Sequence, residues 1–446
     1  MAWAEERARA VARQGVVRGG ASRAGREVLG SATCRPMRKT RAPSRDRTST
    51  KVSRRTLLTG AVGAAAFALN ARKTLGQERP ESAARPGPPP GELGTRAASE
   101  QLKRLPSATS SRTPLHQLHG TITPADLHFE RHHAGVPVVD PRAYRLTIHG
   151  MVDRPTSLTL DDLKQFPAAS RVCFLECSGN FQRQDGERTT AQAMCGLTSQ
   201  SEWTGVRLAT LFREVGVRPQ ATWFLAEGQD AALLARSIPV EKAMDDAMVV
   251  YAQNGEALRP EQGYPARLLL PGWEGNSNVK WLRRLELADQ PFMTREETSR
   301  YTDPLADGTS RQFSFVIDAR SVITWPSYPQ TVRAGWIEIR GIAWSGRGRI
   351  DRVDVSTDRG RTWTRAVLQE PRLPKAHTGF RLLWQWDGTP TEILSRASDD
   401  TGYVQPDWKA LDAVRGRRTR YHLNPVTGWN IGSDGRVLFG IERFRS

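Results

Sequence analysis

A change of sequence pattern near Arg311 divides the chain into two parts that we expect to fold differently. Before it, an alternating strand pattern at Tyr144 to Ile148 is mixed with helical spacing of apolar residues from Leu208 to Val215. After it, short strands separated by turns follow one another from Trp336 to Trp386. The pattern predicts an α+β domain followed by an all-β sandwich. Because no cysteine pair spans the second part, the sandwich would be immunoglobulin-like without an inter-sheet disulfide.

Length and charge limit the classes of protein to which the chain can belong. Its 446 residues are enough for two or three domains, each with a full core. The net charge is +18, but residues 1–76 hold 17 basic and 4 acidic side chains, which leaves +5 for the remainder. A small charge spread over so many residues is not the footprint of a nucleic-acid-binding protein. We therefore expect a folded, enzyme-sized protein with no nucleic-acid partner.

The first 76 residues are typical of an export leader. Arg54 and Arg55 precede an apolar run from Leu57 to Leu69, which is too short to cross a bilayer as a helix. This arrangement indicates a twin-arginine signal, which exports folded proteins to the periplasm. A chance arginine pair before a buried helix is the alternative, and translation can start at Met1 or Met37. We expect no membrane span, and a Pro-rich linker over residues 77–112.

Three cysteines follow the leader, and they offer no obvious disulfide. Cys173 and Cys177 lie on one predicted strand, about 13 Å apart at the rise of an extended chain, which is too far for a bond. The turn residues Ser178 to Asn180 place Cys177 at the end of that strand, beside a pocket. Burial in the core is the alternative for all three thiols, Cys195 included. The chain has neither a CxxC pair nor a CxxCH haem-attachment motif.

Several segments occur in an order that resembles one family of metalloenzymes. They are Phe129–Pro137, Phe174–Asn180, Gly263–Arg267, Asn278–Trp281, Ser395–Pro406 and Gly428–Asn430. The ordered set resembles the sulfite oxidase family of molybdenum enzymes, and within it the molybdenum subunits of sulfur-oxidising multienzyme systems. The resemblance implies a molybdopterin-binding catalytic domain at residues 113–312 and a dimerisation domain, the predicted sandwich, at residues 313–446.

The same resemblance implies the cofactor and its contacts. It implies one molybdenum per chain, held by the dithiolene of molybdopterin and by the soft thiolate of Cys177. It implies catalytic roles for Arg131, whose fork of donors suits a sulfur oxyanion, for Tyr301, which can pass a proton, and for a pocket-lining Trp203. Without the family, these three residues would be assigned to the surface or core. The residues implied to hold the cofactor's phosphate and pterin are His133, Asp230, Gln262, Arg267, Asn278 and Lys280.

Departures from the sulfite oxidases suggest which substrate is used. Gln182 and Gly432 stand where that family would have two further arginines, and Gln262 replaces a phosphate-binding histidine. Because each arginine adds charge-assisted hydrogen bonds to a dianion, a less cationic pocket should hold free sulfite more weakly. We therefore expect sulfane sulfur on a sulfur-carrier protein as the substrate, with free sulfite, oxidised in a sulfite:cytochrome c oxidoreductase reaction, as the alternative.

Electrons from this oxidation need a separate acceptor, since the chain has no haem motif. The resemblance implies a c-type cytochrome subunit with two haems, in an assembly built on a homodimer of this chain.

A binding module in which Cys177 is an inert thiol is the alternative from another class of protein. That alternative predicts neither metal nor pterin.

Overall fold

The computed structural model describes residues 89–181, 186–305, 307–417 and 419–440. The leader with its twin-arginine signal lies outside the described residues, and so does Gln182. Within the described ranges, no helix is both long and apolar enough to cross a membrane. A compact unit begins at Thr95 and contains both predicted domains. We call its parts on either side of the predicted boundary at residue 312 the first and the second lobe.

Two five-stranded sheets form most of the first lobe, and a three-stranded and a two-stranded sheet complete it. Its strands are β1 (Leu105–Pro106), β2 (Ser110–Arg112), β3 (Glu130–Arg131), β4 (Leu146–Gly150), β5 (Thr156–Leu158), β6 (Ala168–Glu176), β7 (Thr198–Arg207), β8 (Trp223–Gly228), β9 (Ala235–Pro239), β10 (Met248–Gln253), β11 (Glu256–Ala257), β12 (Arg267–Leu269), β13 (Leu282–Ala288), β14 (Asp303–Pro304) and β15 (Ser310–Arg311). One sheet has the order β5-β4-β13-β8-β9. The other has the order β11-β10-β7-β6, with β12 also paired to β10.

Helices and short helical turns connect these strands. They are α1 (Leu160–Gln165), α2 (Ala191–Cys195), α3 (Leu208–Val215) and α4 (Val240–Asp245), with 3-10 turns at Ala125–Leu127, Pro260–Gln262 and Gly275–Ser277 and a π-helical turn at Glu296–Arg300. The α+β expectation for this part of the chain is met, although strands predominate.

Local sequence signals explain several of these elements. The apolar stripe of α3 packs into the core, and the helix ends at Gly216, whose φ of +67° favours glycine. Asn254 and Gly255 have φ values of +51° and +81° and connect β10 to β11, as a two-residue hairpin requires. In β6, the strand ends at Glu176 and Cys177 follows it directly, which confirms the predicted position of that thiol.

Two antiparallel sheets form the second lobe. Its elements are β16 (Arg320–Trp325), β17 (Gly335–Trp344), β18 (Ile350–Ser356), β19 (Thr364–Arg365), β20 (Val367–Leu368), β21 (Thr378–Trp386), β22 (Thr391–Asp399), helix α5 (Trp408–Arg415), β23 (Thr427–Ile431) and β24 (Val437–Phe439). The sheet orders are β16-β17-β21-β20 and β19-β18-β22-β23-β24. Helix α5 is an addition that the all-β pattern did not predict, and the Asp407 side chain caps it by accepting from the Ala410 backbone at 2.8 Å.

The two lobes share one hydrophobic core. Phe174, Phe181 and Met194 of the first lobe belong to the same buried cluster as Trp344 and Trp429 of the second. Burying aromatic side chains of this size contributes several kcal/mol of stability, of order 2 kcal/mol each. The first lobe is therefore packed directly against the second.

A buried carboxylate adds a polar connection between the lobes. Asp246 of the first lobe accepts from Lys242 and, at 2.6 Å, from Lys375 of the second lobe, and Arg171 lies 3.3 Å away. Burial by itself raises the pKa of Asp246, but Lys242 and Lys375 outweigh burial and lower it below 3.8. A carboxylate with a lowered pKa stabilises the fold above its unfolded pKa and less as the pH falls through its folded value.

Replacing this carboxylate should weaken the junction of the lobes. We expect Asp246→Asn to lower the free energy of unfolding at pH 7 by about 3 kcal/mol, because it leaves Lys242 buried without its counter-ion. Asp245→Asn is the matched control, since that side chain is 65% exposed and 3.8 Å from Lys375. Urea unfolding measures both, and the effect of Asp246→Asn should shrink below pH 3.8. Equal effects of the two substitutions would contradict the assignment.

Candidate active site

A cavity lies in the first lobe. Of the ten residues expected at the site, nine line this cavity: Arg131, His133, Cys177, Asp230, Gln262, Arg267, Asn278, Lys280 and Tyr301. They come from β3 and the segment after it, the end of β6, the β8–β9 turn, the segments around β12 and before β13, and the end of the π-helical turn at Glu296–Arg300. Residues spread over 170 positions of sequence therefore converge on one space.

Cys177 is the reachable thiol at this cavity. Of the three cysteines in the described residues, Cys173 and Cys195 are buried, whereas Cys177 is partly exposed. The backbone N–H of Cys177 donates to Leu197 O at 3.0 Å. A Cβ atom at Gly275 would lie 2.9 Å from the carbonyl oxygen of Glu176, so glycine is required where this segment passes the Cys177 loop. Its surroundings raise the pKa of the Cys177 thiol, mainly through burial, although the Gly179 N–H and Arg131 oppose this.

Buried cations form the opposite side of the cavity. Arg267 donates to the carbonyl oxygens of Gln262 at 3.1 Å and Asn278 at 2.9 Å. Lys280 contacts Arg131 O at 3.2 Å, Glu261 O at 3.0 Å and His132 Nδ1 at 2.7 Å. All of these partners are neutral. Burial lowers the pKa of Arg267 to about 9 and that of Lys280 well below 10.5. Two buried positive groups with neutral partners favour the binding of an anion.

Unpartnered polar atoms at the cavity support the same conclusion. The Nε of Arg267, the Oδ1 of Asn276 and the Nε2 of His128 are buried and have no hydrogen-bond partner within the described residues. All three residues line the cavity. Since buried polar atoms are normally hydrogen-bonded, these atoms fit a bound polar group such as a pterin and its phosphate.

Tyr301 and His133 form a hydrogen-bonded pair. The Nε2 of His133 lies 2.9 Å from the hydroxyl oxygen of Tyr301. Burial, followed by the charge of Arg131, lowers the pKa of His133 to about 4, and burial raises the pKa of Tyr301 above its ordinary value. Both groups are therefore neutral at pH 7, and the pair can hold and pass a proton. The resemblance implied contact between His133 and the phosphate; in the structure His133 lines the cavity and lies beside Tyr301.

Sequence reasoning missed the adjacent His132. Its Nε2 lies 2.7 Å from the carboxylate of Glu130, while its Nδ1 contacts Lys280. Burial lowers the pKa of His132. The two consecutive histidines therefore serve different parts of the cavity, and nothing in the local sequence distinguishes them.

The other expected cofactor contacts have protein partners. The side-chain N–H of Gln262 donates to Phe129 O at 2.9 Å, and Asp230 accepts from the Leu234 backbone at 3.1 Å. The amide of Asn278 accepts from Leu270 N at 2.6 Å and donates to the Glu274 carbonyl oxygen at 2.9 Å. These side chains shape the wall of the cavity, while Arg267 and Lys280 supply its charge.

Two expectations about pocket residues need correction. Trp203 is fully buried and does not line the cavity, because its indole N–H points to Cys173 O at 3.4 Å and its ring packs 5.2 Å from the guanidinium of Arg267. Gly432 lines a separate depression on the second lobe, together with Arg436. Its lack of charge therefore does not affect the candidate active site.

A second layer of buried charges supports the cavity from behind. Arg236 donates to Glu274 at 2.9 Å and to Glu297 at 2.7 Å, and its guanidinium lies 5.1 Å from the ring centre of Tyr301. Burial raises the pKa of Glu274, but Arg236, His422 and a neighbouring amide outweigh burial and lower it to about 2. Sequence reasoning did not identify this cluster, because its members, from Arg236 to His422, lie as far apart as 186 positions.

The second lobe also reaches the mouth of the cavity. The ring of Tyr421 lies 5.3 Å from that of Tyr301 and 3.9 Å from where a Cβ of Gly179 would be.

Among the described residues, no group of three or more His, Cys, Asp or Glu side chains is arranged to hold a metal ion. The molybdenum cofactor needs only one thiolate ligand from the protein, so it fits this donor set.

A mixed-sheet lobe with one reachable thiol facing buried cations, joined to a sandwich, defines a cofactor-dependent oxidoreductase of the molybdopterin class. The family described as the oxidoreductase molybdopterin binding domain matches residues 133–296. The Mo-co oxidoreductase dimerisation domain matches residues 311–428.

Similar proteins agree with this class. Mouse mitochondrial sulfite oxidase is 32% identical over 340 residues, covering 69% of this chain and 62% of its own. The NADH nitrate reductase of Ulva prolifera is 30% identical over 375 residues, covering 73% and 42%. The chain thus spans about half the length of these curated relatives. The crystal structure of the sulfane dehydrogenase SoxCD from Paracoccus pantotrophus is 43% identical with a TM-score of 0.79, covering 82% of this chain and 98% of that one.

The chain therefore belongs to the sulfite oxidase family of molybdopterin oxidoreductases. This confirms the resemblance, the class of oxidoreductase and the molybdenum–molybdopterin cofactor that the sequence implied. It also removes the binding-module alternative.

The buried cations should control retention of the cofactor. We expect Lys280→Ala to lower the molybdenum and pterin content of the purified protein about tenfold, because the substitution removes a buried cation that we expect to neutralise the phosphate. Metal analysis and pterin fluorescence measure this content. Arg283→Ala is the control, since Arg283 lies on the same segment but pairs with Glu227. Normal content in Lys280→Ala would show that the phosphate lies elsewhere.

Proposed function

We propose that the chain is the molybdenum subunit of a periplasmic sulfane dehydrogenase. It oxidises sulfane sulfur bound to a sulfur-carrier protein during thiosulfate oxidation and passes the electrons to a c-type cytochrome subunit with two haems. The observation that carries this proposal is the likeness to SoxCD, which spans 98% of that chain at 43% identity. The sulfite oxidases are less similar, at 32% for the mouse enzyme.

In this proposal different residues of the cavity bind the metal, bind the substrate and hold the proton. Cys177 supplies the single protein thiolate to the molybdenum. The bound cofactor would supply two-electron redox chemistry and the transfer of an oxygen that derives from water. The guanidinium of Arg131 binds and orients the oxidised sulfur group through its fixed fork of donors. The hydroxyl of Tyr301, hydrogen-bonded to His133, holds the proton that must move during turnover.

A second set of residues holds the cofactor. Lys280 and Arg267 neutralise its phosphate, and we add His132, which contacts Lys280 directly. Asp230, Gln262 and Asn278 shape the wall against which the pterin lies. Trp203 supports these residues without lining the cavity, because its ring packs on the guanidinium of Arg267. It therefore positions Arg267 and does not contact substrate.

The second lobe, in this proposal, joins two copies of the chain as an immunoglobulin-like sandwich. Its match to a dimerisation domain supports this, as do its two antiparallel sheets over one core. On the neighbouring strands β17 and β21, Trp336 and Leu383 are 67% and 64% exposed. Large apolar side chains exposed on one sheet face are typical of a contact surface.

Export by the twin-arginine route completes the proposal. The leader carries Arg54 and Arg55 before a short apolar run, and this route transports folded proteins. A cofactor held in the cavity of a folded chain must be inserted before transport, which gives a physical reason for the route.

Replacing the metal ligand tests the class of chemistry. We expect Cys177→Ser to lose molybdenum and activity, because a hydroxyl is a much weaker ligand for this metal than a thiolate. Cys173→Ala is the matched control: it removes a buried thiol four residues away and should keep about one molybdenum per chain. Molybdenum analysis and cytochrome c reduction measure both properties. A fully active Cys177→Ser protein would contradict the assignment.

Steady-state kinetics test the substrate. Gln182 stands where sulfite oxidases would have a second pocket arginine, and one charge-assisted hydrogen bond changes affinity by about tenfold or more. We therefore expect kcat/KM for carrier-bound sulfane sulfur to exceed that for free sulfite by at least about tenfold. Gln182→Arg should raise the affinity for sulfite. A low KM for free sulfite in the unaltered protein would favour the alternative, a sulfite:cytochrome c oxidoreductase.

A further inference from the structure

A buried carboxylate stands next to the metal-ligating cysteine and has partners in both lobes. Glu176 is 1% exposed. Its Oε1 accepts from Arg320 at 2.5 Å and from Asn180 at 2.9 Å, and its Oε2 accepts from the indole N–H of Trp344 at 2.6 Å. Arg320 and Trp344 belong to strands β16 and β17 of the second lobe. The carboxylate therefore fastens the end of β6 to the sandwich.

The same network fixes the loop that carries Cys177. Asn180 donates its backbone N–H to Cys177 O at 2.8 Å, and its side-chain oxygen accepts from Leu197 N at 2.7 Å. Leu197 O in turn accepts from the Cys177 N–H at 3.0 Å. Both backbone polar groups of Cys177 are thus hydrogen-bonded. Asn180 takes part in two of these three hydrogen bonds, and its side chain donates to Glu176.

The charge of Glu176 is essential to this arrangement. Arg320 is 4% exposed, and its other contacts are the carbonyl oxygen of Leu423 and, at 3.6 Å, the sulfur of Cys195. Its Nε is buried and has no hydrogen-bond partner in the described ranges. Glu176 is thus the carboxylate that balances this guanidinium. Removing one member of such a pair leaves the other charge buried and unpaired, which is strongly unfavourable.

We propose that Glu176 is a positioning residue: paired with Arg320 and Trp344 of the second lobe, it holds the Cys177 loop in the geometry that binds the metal. The proposal rests on the proposed function, in which Cys177 is the metal ligand. It assigns the sandwich a role in the cofactor site in addition to joining two copies of the chain. A rigid ligand loop matters because supporting contacts commonly change metal affinity by 10–100-fold.

The three thiols of the described residues provide the test. In Glu176→Gln, the charge on Arg320 is unbalanced, so we expect the Cys177 loop to open locally and Cys177 to be alkylated by iodoacetamide about tenfold faster. Cys173 and Cys195, which are buried in the core, should stay protected. The measurement uses the full-length protein, with and without cofactor, and peptide-resolved mass spectrometry reports each thiol separately.

A charge-balanced variant separates positioning from general stability. Arg320→Met should also accelerate alkylation of Cys177, whereas Glu176→Gln with Arg320→Met should restore much of the protection, because no unpaired charge remains. Asp354→Asn is the control, since Asp354 is 2% exposed and pairs with Arg352 within the sandwich. It should leave Cys177 unchanged. Should Glu176→Gln fail to fold, Trp344→Phe removes one donor from the same carboxylate and should give a smaller acceleration.

Each outcome bears on the proposal. Faster alkylation confined to Cys177, with faster loss of molybdenum on dilution, supports it. An unchanged Cys177 rate in folded single variants overturns it. Equal acceleration at all three thiols also overturns it, because Glu176 would then stabilise the whole fold. If the unaltered protein binds no molybdenum, the proposed function fails, while the alkylation rates still report on the position of Cys177.

Discussion

The buried ion pair of Glu176 and Arg320 is the interaction on which the arrangement of this protein depends. It lies where the strand that presents Cys177 meets the sandwich, inside a hydrophobic cluster to which both lobes contribute. Two charges in such a place stabilise the fold little in themselves, because desolvation offsets most of their attraction. They make the docking of the two lobes specific, because incorrect docking would leave one charge buried and unpaired. The cofactor site therefore depends on correct docking of the second lobe.

The electrostatics of the cavity differ from this, because within the part of the chain that the structure describes Lys280 and Arg267 have no buried carboxylate in direct contact. Lys280 and Arg267 bond to neutral atoms, and burial lowers the pKa of both. Behind them, Arg236 is fully matched by Glu274 and Glu297. The protein thus balances charge in the supporting layer and leaves an excess of positive charge at the surface of the cavity. Such an excess selects an anionic ligand, as the phosphate of molybdopterin is.

Sequence reasoning predicted the parts of this molecule that depend on local signals or on family motifs. Helix α3, the hairpin at Asn254 and the position of Cys177 after β6 follow from short-range patterns. Trp203 could not be placed, since whether a buried indole faces a cavity or the residue behind it depends on packing between strands. Nor could the separate roles of His132 and His133 be distinguished, because two adjacent residues point to different partners. The charge clusters around Arg236 and Glu176 were not predicted either, since their members are distant in sequence and come together only in the folded chain.

These two electrostatic arrangements connect folding to function. Without an anion in the cavity, the buried charges of Lys280 and Arg267 oppose the folded state, and a ligand that binds only this state stabilises it in proportion to its affinity. Cofactor insertion thus completes the fold as well as the site. The matched pair of Glu176 and Arg320 needs no ligand, so the lobes can dock and hold the Cys177 loop before the cofactor arrives. In the proposed function, a preformed position for the Cys177 sulfur next to an unbalanced cationic wall is therefore the acceptor for molybdopterin, and the filled protein is the more stable species.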